Sequence, residues 1–106
     1  MITDFWKGLA VYSSGDATSW TAQADPILAL PGKTPTDRAK GQHADVVVSR
    51  GRAFIFYFTH QEGADSKPGD PMSRRHTVLQ VAELLYRDGR ITCDRDAPTY
   101  IELARP

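Results

Sequence analysis

"HTVLQVAELLY" (residues 76–86) is the stretch on which the fold class of this chain turns. Val78, Leu79, Ala82, Leu85 and Tyr86 lie on one stripe of a 3.6-residue period, and Leu, Gln, Glu and Ala are good helix formers. With a period of two, the same residues alternate Val78, Gln80, Ala82 and Leu84 against Leu79, Val81 and Glu83. "RDGR" (87–90) follows, and its Asp-Gly pair is the preferred centre of a two-residue hairpin loop, with "ITCD" as the returning strand. Local pattern thus leaves two readings open. One is an all-β chain with strand over 77–84; the other is a small α+β domain in which 76–86 is a helix packed across a sheet.

Upstream, "GQHADVVVSRGRAFIFYFTH" (41–60) reads as two apolar strands joined by the turn Ser49-Arg50-Gly51-Arg52. Phe54, Phe56 and Phe58 take one face of the second strand, and Ala53, Ile55 and Tyr57 the other. In the first strand Val46 and Val48 oppose Asp45, Val47 and Ser49. Strands apolar on both faces are expected to be covered on both sides. "GLAVYSS" (8–14) is a brief strand ended by Ser14-Gly15-Asp16, and "PILAL" (26–30) reads as another, with Pro26 favouring an edge or a strand start. Residues 31–42 and 61–75 are long polar loops, of the kind that is usually functional or disordered. Trp6, Phe54, Phe56 and Phe58 are expected in the core, and Arg50, Arg52, Arg87 and Arg90 as solvated turn charges.

The 106 residues make one domain, 1–106, long enough to bury a real core. Thirteen basic and thirteen acidic residues cancel, which argues against a nucleic-acid partner and against binding to an anionic membrane. Cys93 stands alone, so no internal disulfide forms. The start, "MITDFWKGLAVYSS", lacks the basic and long apolar regions of a signal peptide, and no run approaches the roughly 18 apolar residues of a membrane span. A soluble chain, cytoplasmic by default, is expected.

"GLAVYSSGDATSWTAQADPIL" (8–28) resembles the outer half of a blade in the five-bladed propeller glycosidases, the arabinanase, levansucrase and invertase group. There a strand ending in Tyr and Ser leads into Ser-x-Asp-x-x-x-Trp, matched here by Ser14, Asp16 and Trp20. The hairpin 44–59 resembles the inner two strands of the next blade, and "VLQVAELLYRDGRITCDRD" (78–96) is similar to its outer hairpin. The resemblance covers roughly residues 8 to 96 and is closest to family-43-like sequences. It implies an all-β, antiparallel propeller-blade fragment of about one and a half blades, with 8–30 as outer strands of one blade and 41–96 as the next. On that reading 76–86 is a strand, Asp16 caps a turn and Trp20 packs between blades.

Blade strands run antiparallel, so connections alternate between the two ends of the sheet. Loops 31–43 and 60–76 then share one end, and turns 49–52 and 87–90 the other. His43, Asp45, His60, Arg75 and His76 converge at the loop end, which in the family is the substrate face. The resemblance implies carbohydrate contact by His43, Asp45, Tyr57, His60 and Arg75, with His43 in the place of a histidine that faces a channel ion or water. Arg75 offers the forked donors that clamp a carboxylate or a sugar hydroxyl. A zinc site from His43, Asp45, His60 and His76 has suitable ligand types but no standard spacing, and no metal or other cofactor is expected. Cys93, beside a turn at the far end, is not expected to be a nucleophile.

Glycoside hydrolysis generally uses two carboxylates, which the family places in earlier blades. A propeller takes at least four blades, so this chain alone is expected to be inactive. Its expected role is that of a carboxy-terminal fragment of a glycoside-hydrolase-like propeller that contributes carbohydrate-facing residues. Two alternatives stand beside it. One is a non-catalytic carbohydrate-binding or structural module that self-associates through exposed strand edges. The other is a small α+β ligand-binding domain.

Overall fold

The computed structural model describes residues 1–61 and 76–105, and among these there is no helix. Seven strands run in order: β1 (Ile2–Phe5), β2 (Gly8–Ser13), β3 (Thr21–Ala22), β4 (Gln42–Ser49), β5 (Arg52–His60), β6 (Thr77–Arg87) and β7 (Arg90–Cys93). They form a three-stranded sheet, β1-β2-β3, and a four-stranded sheet, β4-β5-β6-β7. Both are antiparallel meanders in which each strand pairs with the next in sequence.

The segment 76–86 is therefore a strand, which overturns the α+β alternative. Helix propensity differs by only a few tenths of a kcal/mol per residue among such side chains. Against that, β6 is paired on both edges: with β5 from Ala53↔Leu84 to His60↔Thr77, and with β7 from Leu84↔Cys93 to Arg87↔Arg90. The turn to β7 has Asp88 at φ 52° and Gly89 at φ 76°, the pair of positive values a type I′ loop requires. The β4–β5 turn repeats the device with Arg50 at φ 51° and Gly51 at φ 75°.

The two sheets lie face to face. Leu9 and Val11 of β2, with Ile27 and Leu28, meet Ile55, Tyr57, Ala82 and Leu84 of the larger sheet, and all eight are buried. Residues 26–30 do not form the expected strand. Leu9 and Ile27 exchange two backbone hydrogen bonds of 2.9 Å in a single bridge. Extension stops there because Pro26 has no N–H to give and Leu28, at φ 54°, leaves the extended region.

Among the described residues the second face of the larger sheet is only partly covered. Its second face carries Val47, Phe54, Phe56, Phe58, Leu79, Val81 and Leu85, as the register dictates. Phe54 is buried, with the Arg52 guanidinium 4.8 Å from its ring centre, but Phe58 is 37% and Leu79 59% exposed. Trp6, expected in the core, is 68% exposed in the two-residue connection between β1 and β2. Of the turn arginines, Arg52 grips Glu83 through two bonds of 2.9 Å, Arg90 pairs with Asp25 and Arg50 with Glu102.

The edges of the larger sheet are blunted by side chains. At the β7 edge the Gln23 amide accepts from the Ile91 N–H (2.8 Å) and donates to the Ile91 carbonyl (2.9 Å), as a neighbouring strand would. At the β4 edge the His43 N–H is taken by Asp4 and the Val46 N–H by Asp45. Such devices discourage strand addition.

Candidate functional site at the loop end

The topology places the β1–β2 connection, the 31–41 segment, the start of β4, the end of β5 and the start of β6 at one end of the molecule. The turns at 50–51 and 88–89 lie at the other end. His43, Asp45, His60 and His76 are thus gathered at the loop end, as the alternation of connections predicts. Arg75 lies outside the described residues.

His43 is the most constrained of them. Between Gln42↔Phe58 and Asp45↔Phe56 the register slips, so β4 carries a bulge. His43 sits in that bulge at φ 49°, a left-handed conformation that favours glycine and costs a branched backbone about 1 kcal/mol. Asp4 of β1 holds it there from the other sheet. One carboxylate oxygen accepts the His43 N–H at 2.7 Å and the other lies 3.1 Å from Nδ1. The imidazole is mostly exposed, and in the tautomer with its proton on Nδ1, towards Asp4, Nε2 is an acceptor. Strained residues held by their surroundings cluster at functional sites.

Asp45 is exposed and spends one carboxylate oxygen on the Val46 N–H at 2.9 Å. His60 is half-buried at the last pair of the β5–β6 ladder, opposite Thr77, and His76 is exposed. Tyr57 is in a different position from these. It is 1% exposed, and its hydroxyl donates to Asp37 at 2.8 Å, so its role is internal.

Asp37 and Arg95, neither of which the sequence singled out, make the buried polar centre of the molecule. Arg95 Nε donates to Asp37 Oδ2 at 3.1 Å and Nη2 donates to Oδ1 of the same carboxylate. The remaining donors reach the carbonyls of Leu30 (2.6 Å) and Ala39 (2.8 Å), and the guanidinium lies 5.4 Å from the Tyr57 ring centre. One ion pair therefore ties the 30–39 segment to β5 and to the chain leaving β7. No buried polar side-chain atom among the described residues lacks a partner.

Trp6, Lys7 and Lys40 also belong to the loop end and were missed. Lys40 Nζ donates to the Trp6 carbonyl at 3.0 Å, and Lys7 Nζ lies 4.4 Å from the indole centre. A tryptophan followed directly by Lys and Gly in a short turn is the sequence signal that marked it as exposed. Among the described residues no group of three or more His, Cys, Asp or Glu side chains is placed to hold a metal ion.

Cys93, half-buried on β7, has its thiol pushed up by burial to about 12 from 9.0. A folded value above the unfolded one adds stability that is present below about pH 9 and lost as pH climbs towards 12. Tyr57, raised by burial and then by its bond to Asp37, acts in the same direction above pH 10. Urea unfolding is therefore expected to show stability falling steadily from pH 9 upward, with a shallower fall in Cys93→Ala. A flat profile in the parent protein would contradict the buried thiol. No protein-family model and no curated protein matches the sequence.

Proposed function

We propose that this chain is a propeller-blade unit whose loop end faces carbohydrate, and that alone it binds rather than hydrolyses. The observation that carries this reading is the pairing of a four-stranded antiparallel meander with a preceding sheet stacked on one face, while Phe58, Leu79 and Leu85 on its other apolar face remain exposed among the described residues. Stacked sheets of that kind are the repeating contact of a propeller, and a blade in a ring needs both faces apolar. The contrast between a loop end bearing His43, Asp45 and His60 and a far end of tight turns supports the orientation. The carboxylate pair of a glycosidase belongs, in the resemblance, to blades this chain does not contain.

The test is a ¹H–¹⁵N NMR titration with arabinobiose, fructose oligosaccharides and xylobiose. Shifts are expected at residues 42–45 and 58–61 and not at 49–52 or 87–90. Shifts at the turn end, or none with any sugar, would remove the carbohydrate reading.

A second reading, self-association, is favoured by the exposed Phe58, Leu79 and Leu85 of the same face. Because Gln23, Asp4 and Asp45 already occupy edge amides, the route we propose is stacking through the face rather than pairing through the edges. Light scattering is expected to give an oligomer that Leu79→Glu dissociates and Gln23→Ala does not. A monomeric parent, or dissociation by neither change, would exclude it.

A further inference from the structure

We propose that Trp6, Lys7, Lys40 and the Asp4–His43 pair form a subsite for an acidic saccharide, one bearing a uronate carboxylate. This deepens the carbohydrate reading and rests on it. Trp6 stands 68% exposed two residues after Asp4, whose carboxylate holds the start of β4, and Lys7 already covers part of its ring, so much of the remaining indole surface is open. A flat indole suits the C–H face of a sugar ring, and a rim of oriented polar groups supplies its hydroxyl contacts.

The charge of that rim selects the sugar. Asp4 lies two residues before Trp6, and both its oxygens are turned onto His43, at 2.7 and 3.1 Å. Lys7 and Lys40 have no carboxylate partner among the described residues; Lys40 spends one of three ammonium donors on the Trp6 carbonyl. Among the described residues the surface beside the indole therefore offers two cations and one imidazole, while the Asp4 carboxylate is engaged by His43 and Asp45 gives one oxygen to the Val46 N–H. A neutral sugar would use the stacking plane and leave both ammonium groups unanswered. A uronate places its carboxylate against Lys7 and Lys40 while a ring hydroxyl donates to His43 Nε2. Asp4 acts as a positioning residue: it holds the bulge through the His43 N–H and stands 3.1 Å from Nδ1.

Digalacturonic acid and its neutral counterpart galactobiose are the probes, with sodium sulfate as a simple anion, read by calorimetry and by the Trp6 indole N–H resonance. The expected result is at least tenfold tighter binding of digalacturonic acid than of galactobiose, weakened at least tenfold by Trp6→Ala and by Lys40→Met. Both side chains are on the surface and their loss leaves the core intact. His43→Gly suits the φ of 49° and should keep the fold while also weakening binding. Equal affinity for the two disaccharides, or binding that ignores Trp6→Ala, overturns the subsite. If galactobiose shifts residues 58–61 and leaves the indole unmoved, the subsite falls while the carbohydrate reading stands; if no sugar binds, both fall. Sulfate competing fully with no indole shift would make this an anion site only, and would equally overturn it.

Discussion

Replacing Arg95 by Met is expected to lower the stability of the fold by about 3–5 kcal/mol, because it strands the Asp37 carboxylate in the interior. Arg95 and Asp37 have side chains only 6% and 5% exposed, so water cannot take over the lost bonds. The cost reaches beyond the pair, since Arg95 also holds the Leu30 and Ala39 carbonyls and Asp37 accepts the Tyr57 hydroxyl. Urea denaturation followed by tryptophan fluorescence measures the loss. Asp37→Asn in the same background should recover part of it, because a neutral amide is far cheaper to bury than an unpaired carboxylate. A single-variant loss below about 1 kcal/mol would mean that the pair is solvated in solution.

Gly8→Ala is expected to be comparably damaging, at about 3 kcal/mol or more, for a backbone reason. Gly8 has φ 106°, a conformation that side chains rarely adopt. A Cβ there would also stand 2.6 Å from the Ile27 carbonyl oxygen and 2.9 Å from backbone atoms of Ala29. That carbonyl is the acceptor for the Leu9 N–H, so the methyl group would pry apart the bridge that seats Leu9 and Ile27 in the core. Gly15→Ala is the control, since its Cβ would meet nothing within 4 Å and it has no positive φ. Thermal unfolding of the two variants should differ widely. Equal melting temperatures would show that β2 and the 27–29 segment are not held together in solution.

Much of the local structure was legible because it is written in adjacent residues. Alternation gave the faces of β4 and β5, Arg-Gly and Asp-Gly marked the two tight turns, and Asp16 was read as a turn cap. In the structure its Oδ1 accepts the N–H groups of Thr18 and Ser19 at 2.9 and 2.8 Å. Bonding by these N–H groups, that of Ser19 foremost, holds the Asp16 carboxyl below its usual value. For 76–86 period alone could not decide, because strand formation there depends on partners at both edges, which no window of sequence contains. The Asp37–Arg95 pair was illegible for a related reason. The residues are 58 positions apart, and nothing local distinguishes them from the other acids and bases of a balanced chain. Trp6 was misread because apolar character was taken as burial, whereas a two-residue connection has no room to turn an indole inward. Tyr57 was rightly assigned to the face opposite the phenylalanines, but that face is the interior. Of the loop-end residues, the placement of His43 beside Asp4 came from contact between the two sheets, which alternation does not foretell.

The amide of Gln23 stands in for a strand beside Ile91, and the Asp4 and Asp45 carboxylates accept two edge N–H groups of β4. Addition of a strand to the larger sheet is hindered where those amides are taken. Endless cross-β fibrils need the opposite arrangement, open rims and flat faces. The larger sheet carries its restraint against such growth in three side chains.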